Sequence, residues 1–265
     1  MISRILIAAL AAGVLAGLFA TVVQAWRVTP LILEAERYES ASPAAHSHDP
    51  SHAQAHDHGA AAGEGAGVAT QAQGGEAAEP WAPADGFERT AYTALANVGI
   101  GIAFAMILTA AALLLNVPLT ARNGLALGVC GFIAFVLAPN FGLPPELPGM
   151  QAAGLAERQI WWVATVAATA AALAIFAFRR HWYWIAVGLA LIAAPHLYGA
   201  PQPLSHESDV PANLAADFAI ATMVSSALFW LFLGAVLGAL AHRMTGNRSS
   251  NGASNGAGKN GEAVA

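Results

Sequence analysis

Six stretches of this chain are apolar: residues 5–23, 92–115, 124–138, 160–178, 184–194 and 214–241. A helix that crosses a bilayer needs roughly 17–25 such residues. It must also satisfy its backbone polar groups internally, because the hydrocarbon offers no partners. The chain therefore reads as all-α, a polytopic membrane helix bundle of about six transmembrane helices. Five is the alternative, because 184–194 is short enough to be tilted or re-entrant. Composition agrees: only 10% of the residues are charged, against about 25% in soluble domains. The single cysteine, Cys130, excludes a disulfide scaffold and a cysteine zinc site. Val23-Gln24-Ala25 resembles a signal cleavage site, but the apolar run before it exceeds the roughly 7–15 residues of a signal core. The first segment is thus expected to stay as a helix.

Charge orders the spans. With six crossings and a cytoplasmic N-terminus, the inner segments hold Arg4, Arg122, Arg179, Arg180, Arg243, Arg248 and Lys259. The outer segments hold Arg27, Arg37, Arg89 and Arg158. Short basic inner connections are what the positive-inside rule requires. Of the 16 acids, Glu262 alone falls inside. The outer face is therefore anionic and should gather cations. Five spans would put the C-terminus outside and break the pattern at Arg243 and Arg248. The expected organisation is a first helix with an acidic juxtamembrane segment (1–39), a disordered His-rich extracytoplasmic loop (40–87), a membrane bundle of about five further helices (88–244) and a disordered cytoplasmic tail (245–265).

The loop carries "HSHDPSHAQAHDHG", residues 46–59, with five of the nine histidines. His46, His48, His52, His56 and His58 lie among Asp49 and Asp57. Neutral imidazole binds Zn, Cu, Ni, Co and Fe, and carboxylates add harder donors. Affinity along such a tract follows the Irving–Williams order, so it concentrates divalent transition metal without selecting one. The bland alternative is a low-complexity linker.

No P-loop, G-x-S-x-G or H-E-x-x-H motif is present, so no nucleotide, hydrolase or protease chemistry is expected. Nothing points to a nucleic-acid partner. Ionisable groups near membrane depth are expensive and default to functional candidates. Asp217 opens the last span, with Asn213 one turn before it. Glu34, Glu36 and Glu39 follow the first span in "PLILEAERYE", where Pro30 is placed to break the helix. His196 lies in "APHLYGAPQP", where Pro195, Pro201 and Pro203 are expected to preclude a regular helix. Glu146 is the ionisable group of "GLPPELPG", residues 142–149, a rigid loop on the same face. The competing readings are solvated faces and stiff connectors. Gly13-x-x-x-Gly17, Gly124-x-x-x-Gly128 and Gly234-x-x-x-Gly238 read as close helix contacts. Trp161, Trp162, Trp182 and Trp184 read as interfacial belts.

The first span running into "VTPLILEAERYE", with "GLPPELPG", "ERQIWW", "APHLYGAPQP" and "VPANLAADFAIATMVSSALFWLFLG", resembles the CbtA family. The resemblance covers the apolar parts of residues 1–39 and 88–242. It implies a bacterial inner-membrane subunit for cobalt uptake linked to vitamin B12 biosynthesis. It also implies a small single-span His-rich partner, CbtB. Family members are described with about five spans, where charge here argues for six. The histidine tract is not among the family motifs.

The leading expectation is a multi-pass, non-enzymatic subunit for divalent-metal uptake, cobalt first and nickel second, with no tightly bound cofactor. In it the histidine tract and acidic face collect metal, while Glu146, His196 and Asp217 form the mouth of the pathway. The rivals are a membrane-anchored metal buffer or partner-holding subunit, and a haem-binding redox protein, for which no useful histidine spacing exists. Import or export, and a homo-oligomeric state, stay open on sequence alone.

Overall fold

The computed structural model describes residues 2–41, 83–84, 86–205 and 208–257. The helices are α1 (Ile2–Arg27), α2 (Thr29–Ala41), α3 (Phe87–Leu114), α4 (Ala121–Phe132), α5 (Ala138–Asn140), α6 (Leu155–Phe178), α7 (Trp182–Tyr198) and α8 (Ala212–Ala257). A π-helical turn, Ile133–Leu137, joins α4 to α5 in one rod. Every regular element among the described residues is helical.

Five helices are long and apolar enough to span a membrane, the α4–α5 rod counting as one. The sixth, α7, has 17 residues and rises about 25 Å, close to the roughly 30 Å of a hydrocarbon layer. One contact decides its part. Arg4 at the start of α1 donates from Nη1 to the Met244 carbonyl on α8 at 3.0 Å. The two ends of the spanning region therefore lie at one end of the bundle, which requires an even number of crossings. With α7 included there are six.

Glycine sets the packing. A Cβ on Gly124 would lie 2.3 Å from the Gly234 oxygen, and one on Gly238 would lie 2.3 Å from the Thr120 oxygen. The α4 and α8 backbones thus touch. Gly13, Gly17 and Gly101 do the same for α1 and α3, where a Cβ on Gly101 would meet the Gly13 oxygen at 2.3 Å. In lipid, helices gain nothing from hiding apolar surface from each other, so close van der Waals approach is what holds them. All three expected glycine motifs are contacts of this kind. Ala9, Ala12, Ala16, Leu233 and Leu237 complete a core without exposure. Helices α1, α3, α4 and α8 form this core, while α7 packs on α6 and on no other helix to a comparable extent.

Three expectations change. The stretch around His196 is helical: α7 continues through Pro195 to Tyr198. Pro195 lies inside the helix and leaves the Leu191 carbonyl without its helical N–H, but only three residues follow it before Gly199 at φ +94° ends the helix. Trp161 is not a belt residue. It is buried, and its Nε1–H donates to the Pro195 carbonyl at 3.0 Å. Helix α8 runs past the tail boundary at 245 to Ala257, since extending a formed helix costs far less than starting one. Pro30 does mark a break: α1 ends at Arg27 and α2 begins at Thr29.

Candidate functional site

The expected site residues that the structure describes gather at the end of the bundle that carries α2. There the helix ends are held by a second apolar cluster of Val28, Ala35, Leu147, Val210, Leu214, Phe218 and Ala221. Leu147 is its plug. Pro144, Pro145 and Pro148 fix the backbone around it, and a turn closes with Met150 N–H donating to the Leu147 carbonyl at 3.1 Å. The "GLPPELPG" loop is thereby pressed against α2 and α8. Ser208 extends the contact by donating to the Gly149 carbonyl at 3.5 Å.

Two ion pairs brace this end. Glu36 on α2 meets Arg89 on α3 at 2.6 Å, and Glu146 in the loop meets Arg158 on α6 at 3.2 Å. Their side chains are roughly a quarter to a third exposed. Pairs of this kind stabilise by at most about 1 kcal/mol, so their value here is orientation. Burial pushes the Glu146 carboxyl above the usual glutamate range, and the Arg158 charge pulls it part of the way back. A carboxyl with a raised folded-state pKa favours the fold below its unfolded pKa, and that contribution is lost as pH rises through the folded value. Glu146→Gln is therefore expected to flatten stability of the detergent-solubilised protein just above the ordinary glutamate range. Thermal unfolding followed from pH 4 to 7 checks this, and an unchanged slope would remove Glu146 from the account.

His196 lies on the last turn of α7 between aromatic rings, 5.6 Å from Trp161 and 6.5 Å from Phe141. It is half-buried. Glu34 is exposed on α2, and Asp217 is exposed on the second turn of α8, turned away from the buried Phe218 beside it. Glu146, His196 and Asp217 thus share an end of the molecule but do not converge: among the described residues no three His, Cys, Asp or Glu side chains could hold one ion. His46, His48, His52, His56 and His58 lie outside the described residues, as do His206 and Glu207.

A scan for ionisable groups passes over the neutral polar residues that the bundle buries. Asn97 on α3 is 8% exposed and donates from Nδ2 to Gln24 Oε1 at 2.8 Å and to Thr21 Oγ1 at 3.1 Å, both on α1. Asn140 donates to the Met223 sulfur at 3.9 Å. Thr169 on α6 and Thr222 on α8 bury hydroxyl oxygens with no partner. The signal was present as Asn, Gln and Thr inside otherwise apolar runs.

A family model described as "Probable cobalt transporter subunit (CbtA)" matches residues 2–242. The chain belongs to the CbtA family. The match covers α1 to α7, α8 as far as His242 and the stretch between α2 and α3, which establishes a multi-pass membrane protein of a transporter-subunit family. No curated protein and no solved structure matches the chain. A subunit implies an assembly, so the chain works with at least one further component.

Proposed function

We propose that this chain is the membrane-spanning subunit of a divalent transition-metal uptake system, with cobalt as cargo and vitamin B12 biosynthesis as its use. The observation that carries the reading is the family match over residues 2–242, which spans all six crossing helices. The α2 end faces the periplasm of a bacterial inner membrane, and both termini are cytoplasmic. Supporting this, Arg4, Arg122, Arg179 and Arg180 belong to helix ends or short turns at the opposite end, and Arg243 lies in α8 beside Met244, which Arg4 contacts. On this orientation the histidine tract is periplasmic and presents captured metal to the Glu146, His196 and Asp217 end. The partner is a small single-span His-rich subunit of the CbtB kind. Nickel is the second cargo.

Purified chain in liposomes, given labelled cobalt with nickel and zinc as competitors, tests the reading. Cobalt influx supports a pathway in this chain. Tight binding without influx, with or without the small subunit, would instead favour a metal-holding or partner-holding subunit.

Replacing His46, His48, His52, His56 and His58 together by Ala is expected to raise the half-saturating cobalt concentration by about tenfold or more, as loss of a tethered capture site does. The maximal rate should stay as it was. Uptake unchanged at low metal would remove the capture role.

A further inference from the structure

The four-helix core is closely packed where α4 meets α8. Leu233 and Leu237 are without exposure, and the α4 and α8 backbones touch through Gly124 and Gly234. The α6–α7 hairpin is different. It reaches the rest of the bundle through the π-turn, through α5 and, more thinly, through α4. One ring bridges the two units. Phe135 stacks on Trp230 of the core at 5.4 Å, meets Phe104 edge-on at 5.2 Å, and lies 6.0 Å from Trp162 of the hairpin.

Phe135 sits inside the π-turn, where Ala138 N–H donates to the Ile133 carbonyl, five residues back. Pro139 explains the turn. It has no N–H for the Phe135 carbonyl, so the helix widens to re-pair its neighbours. A π-turn holds one residue more than an α-turn. Its conversion slides the helix by one residue and rotates it by about 100°. The ring is thus mounted on the π-helical segment of the rod.

Polar atoms flank the ring on both sides. Toward the α2 end lie the Asn140–Met223 contact and the unpartnered Thr222 hydroxyl. Toward the other end lies Thr169, 1% exposed, whose hydroxyl also lacks a partner.

We propose that the cation crosses along the seam between the four-helix core and the α6–α7 hairpin, and that Phe135 on its π-turn is the gate. The proposal rests on the transport reading and adds the route and the closing residue. Closed, the ring bridges Trp230 and Trp162. A register shift of the π-turn withdraws it and joins the two polar segments.

The test is cobalt influx into liposomes carrying the purified full chain under an imposed inside-negative potential. Phe135→Ala is expected to raise the influx about tenfold, the factor set by losing one aromatic pair from the closed state. Phe135→Leu keeps the volume without the ring and should give a smaller rise, which guards against a folding defect in the first variant. Phe178→Ala removes an exposed ring at the far end of α6 and should leave the rate unchanged. Leu237→Ala opens the core instead of the seam and should not leak. Monodisperse Phe135 variants at the wild-type rate, or a leak from Leu237→Ala alone, would overturn the gate. Silence of the wild type and all variants would take the transport reading with it, a result distinct from a wild type that conducts and variants that do not differ.

Discussion

Collapsing the membrane potential is expected to abolish cobalt accumulation by this chain. The sequence contains no nucleotide-binding motif, and in liposomes carrying this chain alone a gradient is the driving force supplied. An inside-negative potential of 100 mV is worth about 2.3 kcal/mol per charge, hence about 4.6 kcal/mol for a divalent ion. At equilibrium that is roughly a 2,000-fold accumulation. A potassium diffusion potential set by valinomycin supplies the field, and free cobalt inside the liposome is the readout. Without the field the free-ion ratio should fall to about one. Accumulation that persists would show that another gradient drives the ion, and the external pH would be the next variable to change.

Gly124→Leu is expected to prevent folding of the bundle. The atom a side chain would strike is the Gly234 carbonyl oxygen at 2.3 Å from the first added carbon, and a backbone oxygen cannot swing aside as a side-chain tip can. Overpacking into mobile side chains costs about 1–3 kcal/mol, and this contact should exceed it. The consequence is separation of α4 from α8, the longest glycine seam in the molecule. Gly99→Ala is the matched comparison. Gly99 is exposed on α3 with nothing near its added carbon. That change should be neutral or stabilise by up to about 1 kcal/mol. Gel filtration and thermal unfolding in detergent read both. A folded, monodisperse Gly124→Leu protein would mean that the α4–α8 contact is not what holds the core.

Most of the architecture was legible because hydrophobic length and backbone satisfaction leave few options in lipid. The spans, the three glycine contacts and the break at Pro30 all follow from local residue types. The even number of crossings was visible in arginine placement, and the Arg4–Met244 contact supports it independently. What escaped was anything decided by neighbours. Pro195 argued against a helix around His196, yet the helix bears one lost bond there because it ends three residues later, and the Pro195 carbonyl became the partner of Trp161. Trp161 resembled a belt residue because two adjacent tryptophans look alike in sequence, while the fold turns one to α7 and the other to Phe135. The π-turn arises locally at Pro139, but no hydrophobic periodicity announces it. At the site, charge alone marked Glu36, Glu146 and Asp217 as comparable. The fold pairs the first two with arginines and leaves Asp217 facing outward.

The place of α8 in the core also sets the order in which the molecule can be made. Helices α1 and α3 can close their glycine seam as soon as both have left the ribosome. Helix α4 cannot, because its glycine face fits only α8, which is synthesised after the α6–α7 hairpin. Until then Gly124, Gly128 and Gly131 wait in the bilayer with a bare groove beside them, and Trp230 has not arrived to fill it. Assembly is thus held back until the end of translation, with the hairpin already inserted when the core shuts. Sequence-distant pairing of this kind is slow and exposes intermediates. A nascent chain stalled before Ala212 would therefore present the quality-control machinery with a glycine-lined face that the finished protein never shows.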